Sequence, residues 1–308
     1  MSDAPIHLAL VGLGKIAHDQ HLPAIAGNPD FALAATVDPA SEGLADTPHF
    51  SSLESLLASA AHFDAVALCT PPQVRHDLAR SALGAGKHLL LEKPPGRDPA
   101  DVADLLAMAG GATVFAAWHS RFAAGVGPAR RWLEGKAIRS VTITWREDVR
   151  VWHPGQPWIF QAGGFGVFDP GINALSIATA ILPRQLEVAS ASLDVPANCE
   201  APIAARLELR DSAGVPVRVD LDFLQTGPQT WDIRIETAQG ELLLSKGGSA
   251  WQLPGERRDG PDREYARIYR RFAELIGTGT SEVDAEPLRL VAEALRRGQI
   301  TRVADFHE

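Results

Sequence analysis

Hydrophobic and polar positions follow two different rhythms along this chain. From Ile6 to about Ser120, short apolar runs alternate with stretches of helical period, which predicts strands at 6–11, 32–37, 65–69, 88–91 and 113–118 and helices at 15–26, 53–59, 74–85 and 99–109. Alternation of this kind builds right-handed βαβ units around a parallel sheet covered on both faces. Residues 1–120 are therefore expected to form a doubly wound α/β domain.

Beyond Arg121 the rhythm changes. A helix to about 135 precedes a strand at 138–148, and alternating runs follow at 186–193, 203–210, 215–224, 230–237 and 241–244. Turn signals at Asp211-Ser212-Ala213-Gly214 and Ala238-Gln239-Gly240 read as the corners of an antiparallel meander. Helices are predicted at 170–181, 263–276 and 286–297, with a polar surface loop at 254–262. Residues 121–308 are expected to form an α+β domain whose exposed sheet face would need cover, which points to a homodimer or larger homo-oligomer.

Composition narrows the partners. With 29 basic against 38 acidic residues the net charge is −9, so no positive field exists to hold nucleic acid or an anionic membrane. Two cysteines, Cys69 and Cys199, make neither a disulfide scaffold nor a metal cluster, and the ten histidines show no ligand spacing, so no metal is expected. No apolar run reaches the roughly 20 residues of a membrane span, and Met1-Ser2-Asp3-Ala4-Pro5 has no basic leader region. A cytoplasmic protein is expected.

Val11-Gly12-Leu13-Gly14-Lys15-Ile16-Ala17 follows the first strand and opens the first helix, giving Gly-x-Gly-x-x-Ala. Gly12 permits a tight turn, Gly14 lets backbone approach a pyrophosphate, and Ala17 allows close helix-to-strand packing. A bare glycine pattern is more simply a connecting turn, but the strand-to-helix context selects dinucleotide binding. Asp38 closes the second strand, where a carboxylate accepts hydrogen bonds from ribose hydroxyls and repels a 2′-phosphate. NAD is expected as the cofactor, with NADP less favoured; the plainer role for Asp38 is a turn former beside Pro39.

The stretch Cys69-Thr70-Pro71-Pro72-Gln73-Val74-Arg75-His76, followed by Ala85-Gly86-Lys87-His88 and Glu92-Lys93-Pro94, resembles the glucose-fructose oxidoreductase and inositol dehydrogenase family (Gfo/Idh/MocA), whose hallmark is that Glu-Lys-Pro tripeptide. The segments Trp118-His119-Ser120-Arg121, Glu147-Asp148-Val149-Arg150, Trp152-His153-Pro154 and Phe168-Asp169-Pro170-Gly171-Ile172-Asn173 are similar to bacterial aldose 1-dehydrogenases that oxidise D-galactose or L-arabinose. The resemblance implies a Rossmann domain, a second domain with a large open antiparallel sheet, and an active site between them. It implies oxidation of a pyranose at its anomeric carbon to a lactone with reduction of nicotinamide. Around the cofactor it implies Leu13, Lys15 and Ile16 beside the two glycines, then Cys69, Thr70, Pro71, Pro72, His76, Glu92 and Lys93. Members of the L-arabinose branch that favour NADP tend to carry Ser-Arg where this chain has Val37-Asp38.

A hemiacetal hydroxyl releases hydride only as its proton is removed, so a base is required near that oxygen. Lys93 follows the fourth major strand and precedes Pro94, which restricts its backbone. Asp169 and Asn173 are four apart, on one face of a helix beginning at Pro170, where Asp169 would also serve as N-cap. The wider family often has histidine where Asn173 stands. Proton abstraction is assigned to Asp169 assisted by Lys93, with Asn173 orienting the hydroxyl; Lys93 as the base is the alternative. His119, Glu147, Trp152, His153, Trp158 and Trp231 are the candidate sugar contacts, since aromatic rings cover sugar faces while polar groups read hydroxyls. The rivals are another polyol or sugar reaction within the family, and a non-catalytic dinucleotide sensor.

Overall fold

The computed structural model describes residues 4–307. They divide into two compact units: the chain up to His119 with Glu264–Ala285, and Ser120–Arg263 with the chain from Glu286 onward.

In the first unit, strands β1 (Ile6–Val11), β2 (Phe31–Val37), β3 (His49–Phe50), β4 (Ala65–Leu68), β5 (His88–Glu92) and β6 (Val114–Ala117) form one sheet in the order β3-β2-β1-β4-β5-β6. Every pairing is parallel. Strand order reverses between β1 and β4, so the loops leaving these two strands diverge and open a crevice at the carboxyl edge. Leu89, Leu90 and Leu91 are buried in succession, as a strand covered on both faces requires.

The helix expected at 15–26 differs in form: a π-turn at Ala17–His21 runs into a short α-helix, Leu22–Ala26. Pro23 has no N–H for the ladder and its ring crowds the carbonyl four residues back, and Leu22 N–H bonds to Ala17 O. The single boundary expected after residue 120 also gives way. The helix Glu264–Thr278 buries Tyr265, Ile268, Tyr269 and Phe272. Phe272 stacks on Phe31 at 5.9 Å and on Phe115 at 6.1 Å, so this late segment belongs to the first unit.

The second unit holds β7 (Ile138–Arg146), β8 (Leu186–Pro196), β9 (Ala204–Asp211), β10 (Pro216–Asp222), β11 (Thr230–Thr237), β12 (Gly240–Ser245), β13 (Ala250–Leu253), β14 (Glu256–Asp259) and β15 (Gln299–Val303). They form a nine-stranded sheet in the order β14-β13-β12-β11-β7-β10-β9-β8-β15. It is mixed rather than wholly antiparallel, because β10 runs parallel to β7 and β15 parallel to β8. The loop expected at 254–262 contains β14, a charged edge strand, and β15 forms the opposite edge; exposed polar positions at an edge mask the strand signal.

One face of this sheet buries Val141, Ile143, Val219, Leu221 and Ile235, and the helix Phe168–Ile181 lies against it. The other face carries Glu208, Arg218 and Arg234, ion-paired across strands, so it is charged rather than apolar. Among the described residues no helix is long and apolar enough to cross a membrane.

The helix approaches the sheet closely because Gly171 has no side chain: a Cβ there would lie 2.5 Å from Leu221 Cδ1. Gly171→Ala is expected to destabilise the protein by about 1–3 kcal/mol through overpacking, read as a lowered unfolding midpoint, and Leu221→Val in the same chain should restore part of the loss.

Candidate functional site

The glycine loop has the geometry of a dinucleotide cradle. Gly12 takes φ +91°, and a Cβ on it would sit 3.0 Å from the Cys69 carbonyl carbon, so the loops after β1 and β4 touch only because Gly12 is bare. Gly14 faces open space, with nothing within 4 Å of a Cβ. Asp38 does two jobs: Oδ2 accepts from Leu13 N at 2.8 Å, tying down the glycine loop, and Oδ1 accepts from Ala40 N at 2.8 Å, closing its own turn. Nearby in the chain, Thr70 Oγ1 and Gln73 Oε1 are buried without hydrogen-bond partners. A bare loop, a fixed carboxylate and two unsatisfied polar atoms fit NAD. Lys15 pairs with Asp19, and His76 is engaged by Asp104 at 2.9 Å between two helices.

Behind this loop lies a buried polar network that local sequence patterns do not reveal. Glu92 ends β5 with 3% exposure. Its Oε1 accepts from Tyr265 Oη at 2.7 Å and from His21 Nε2 at 3.0 Å, and its Oε2 accepts from Lys93 N at 2.9 Å. His21 Nδ1 donates to Tyr269 Oη at 2.8 Å. Arg75, also buried, donates to the carbonyls of Glu92, Pro94 and Thr70, clamping the turn that presents Lys93 across a cis Lys93–Pro94 bond. Burial pushes the Glu92 carboxyl up, but the hydrogen bond and charge of His21, the charge of His119 and the Tyr265 hydroxyl outweigh it and hold the pKa at about 2. Burial likewise opposes a charge on His21, and Cys69, Tyr269 and Glu92 together outweigh it, raising its pKa well above the ordinary histidine value. Tyr269, pushed up to about 12 chiefly by burial, stays neutral. His119 lies at the edge of this group, its Nδ1 2.6 Å from Glu264 Oε2 and its ring stacked on Tyr265.

The second unit gathers most of the remaining candidates around Glu147, which follows β7 and is 2% exposed. Trp231 Nε1 donates to Glu147 Oε2 at 2.7 Å, and His153 Nε2 meets Oε1 at 3.0 Å. The opposite ring nitrogen of His153 is 3.9 Å from Asp169 Oδ2. Trp231 stacks on Trp145, and the partly exposed Trp152 leans on it with centroids 4.6 Å apart. Asp169 is buried one helical turn from the half-buried Asn173. The helix begins at Phe168 rather than Pro170, so Val167 holds the N-cap position and Asp169 is not a cap; Val167 N–H is already taken by Pro202 O at 2.7 Å, which starts the turn early. Trp158, in the turn Pro157–Phe160, is half-buried and stands apart from the rings packed on Trp231.

Residues that the local sequence pattern does not single out are His21, Arg75, Tyr265, Tyr269 and Glu264. Among the described residues, His7, His62 and Asp64 lie together.

A Gly-rich loop at a strand-order switch, a clamped Glu-Lys-Pro turn and a carboxylate-imidazole cluster on a separate mixed sheet define a nicotinamide-dependent oxidoreductase. The chain belongs to the Gfo/Idh/MocA oxidoreductase family, whose NAD-binding Rossmann fold matches residues 6–117. It is 46% identical over 307 residues to a galactose 1-dehydrogenase of Pseudomonas fluorescens, covering 99% of both chains. The crystal structure of a D-galactose-1-dehydrogenase protein from Rhizobium etli superposes with a TM-score of 0.95 at 50% identity, over 100% of this chain and 99% of that one. A 3-ketoreductase from Actinomadura kijaniata shares the fold at 20% identity, with a TM-score of 0.85 over 97% of this chain and 99% of its own.

The Glu92–His21 pair should show itself in stability against pH. Glu92, lowered from 4.5 to about 2, adds stability that is complete above about 4.5 and lost as pH falls through about 2. His21, raised, adds stability that is complete below 6.5 and lost as pH climbs through its elevated value. Glu92→Gln is therefore expected to cost on the order of 3 kcal/mol between pH ~4.5 and ~6.5, with the difference from wild type shrinking on both sides, as measured by denaturant unfolding across pH.

Proposed function

We propose that the chain oxidises D-galactose, with L-arabinose and D-fucose as further candidate substrates, at the anomeric carbon to the aldonolactone. The observation that carries this reading is the line of Asp169, His153 and Glu147 flanked by Trp152 and Trp231, supported by two full-length relatives described as galactose dehydrogenases. The Gly12–Gly14 loop, Asp38 and the Thr70 turn would hold NAD, which would supply the hydride acceptor.

Two bonds break at the sugar: C1–H gives up a hydride and the anomeric O–H gives up a proton. Asp169 accepts that proton. Behind it, His153 meets Glu147 through Nε2 and turns Nδ1 toward Asp169 Oδ2 at 3.9 Å, the position from which it can take the proton onward. Glu147 then stabilises the imidazolium, and its second oxygen, bonded to Trp231, keeps it from swinging away. Lys93, fixed by Glu92 and Arg75, supplies positive charge to the developing alkoxide, and the Asn173 amide orients the hydroxyl. Trp152 and Trp231 present the aromatic surface that covers the less polar sugar face, and His119 reads a hydroxyl.

The Asp38 carboxylate repels a 2′-phosphate, which makes NAD the preferred cofactor over NADP. Two free cysteines fit a reducing cytoplasm, and self-association through the sheet face would run over charged strands.

With NAD and a panel of D-galactose, L-arabinose, D-fucose, D-glucose and myo-inositol, absorbance at 340 nm is expected to rise with the first three; activity on inositol alone would reject the substrate assignment. Asp169→Asn should lower kcat by ~10²- to 10⁴-fold with NAD binding retained. Asp38→Ala should raise the NADP-to-NAD ratio of kcat/KM by about 10-fold or more, since one lost charge repulsion of about 1.4 kcal/mol is a factor of ten.

A further inference from the structure

We propose that His7, His62 and Asp64 form a binding site for a divalent transition metal of the zinc type, separate from the sugar chemistry. His7 is the second residue of β1, and His62 and Asp64 stand two apart in the segment entering β4, the strand paired with β1. These residues share the amino edge of the parallel sheet, the end opposite the glycine loop and the Glu92–Lys93 turn.

The backbone fixes them before any metal arrives. Asp64 N donates to His7 O at 2.8 Å, and His7 N donates back to Asp64 Oδ2 at 2.9 Å, so the carboxylate is aimed by a strand that cannot shift without breaking the sheet. His7 Nδ1 lies 3.5 Å from Asp64 Oδ2, and His62 Nε2 lies 3.4 Å from Asp64 Oδ1. One ligand atom from each of the three falls within 4.8 Å of the others. A tetrahedral ion with bonds of about 2.0–2.1 Å sets its ligand atoms about 3.3 Å apart, and each imidazole already stands near that spacing from one oxygen of the Asp64 carboxylate, His7 from Oδ2 and His62 from Oδ1.

The His7 and His62 rings stand 5.1 Å apart beside the one carboxylate, and a single dication between them engages all three groups. His62 is 73% exposed at its side chain, which leaves room for water to complete the shell. His88, farther along the same sheet edge, is not available, because its Nδ1 accepts from Thr113 N. Imidazole donors select zinc, nickel or copper over magnesium and calcium, which demand oxygen. A metal here clamps the start of β1 to the entry of β4 and acts on stability rather than on turnover.

The test uses the untagged full chain, stripped with chelator and titrated with Zn²⁺, Mg²⁺ or Ca²⁺ while calorimetry counts sites and thermal unfolding gives Tm. One Zn²⁺ per chain is expected, with Tm rising by about 5 °C at a hundredfold excess over Kd and no rise with Mg²⁺ or Ca²⁺. His62→Gln, at an exposed position that leaves folding untouched, should abolish both the stoichiometric binding and the Tm rise. His307→Gln, which removes an exposed histidine elsewhere, should keep them. Cobalt should give an intense visible spectrum in the wild type that His62→Gln lacks. No Zn²⁺ effect, an effect that survives His62→Gln, or an equal effect with Mg²⁺ would each overturn the proposal.

Discussion

Glu92 ends a central strand as a carboxylate almost sealed from water, where an unmatched charge would cost several kcal/mol. The His21 imidazolium, the Tyr265 hydroxyl and the Lys93 amide offset that cost at the carboxylate, with the charge of His119 beyond them, while Arg75 grips the Glu92 carbonyl. Three of these also hold something else. His21 lies in the π-turn that follows the glycine loop, Lys93 is the presented cation, and Arg75 reaches the Thr70 carbonyl beside the cofactor turn. The glycine loop, the Thr70 turn and the Lys93 turn therefore share one electrostatic anchor, so their positions are set together rather than one loop at a time.

The second unit reaches the same end by another route. Its candidate side chains hang from the end of β7 and from a helix that packs on Leu221 of β10 across the bare Gly171, and Glu147 is fixed by an indole on one oxygen and an imidazole on the other. In both units a buried carboxylate holds its neighbours in place, Glu92 the Lys93 turn and Glu147 the His153 and Trp231 rings. Side chains supported in this way lose little freedom on binding a ligand, because their rotamers are already chosen.

How much of this was legible in the sequence follows from the range of each interaction. The glycine loop, the Glu-Lys-Pro turn and five of the six first-unit strands are encoded within a few residues, so period and motif expose them, whereas the two-residue β3 is too short to show a period. Asp169, Glu147, His153 and the two tryptophans stood out as types, although the hydrogen bond joining Trp231 to Glu147 spans 84 positions. The Glu92 partners left no local trace: His21 lies 71 positions away and Tyr265 173. Tyr265 and Tyr269 read simply as the apolar face of a late amphipathic helix. The edge strands β14 and β15 escaped because solvent-facing charge masks strand period, and the parallel pairings of the second sheet depend on where the chain returns, which no local window contains.

The helix Glu264–Thr278 gives the first unit an uncommon history during synthesis. The ribosome releases β1 to β6 long before Tyr265, Tyr269 and Phe272 exist, so the nascent parallel sheet waits with Phe31 and Phe115 bare and the His21–Glu92 pair short of both hydroxyls. The cofactor-binding unit becomes complete only when translation has passed through β7 to β14. A gene cut after residue 119 would encode the entire nucleotide motif and still leave its anchor unfinished, so the motif and the folding domain do not share a boundary.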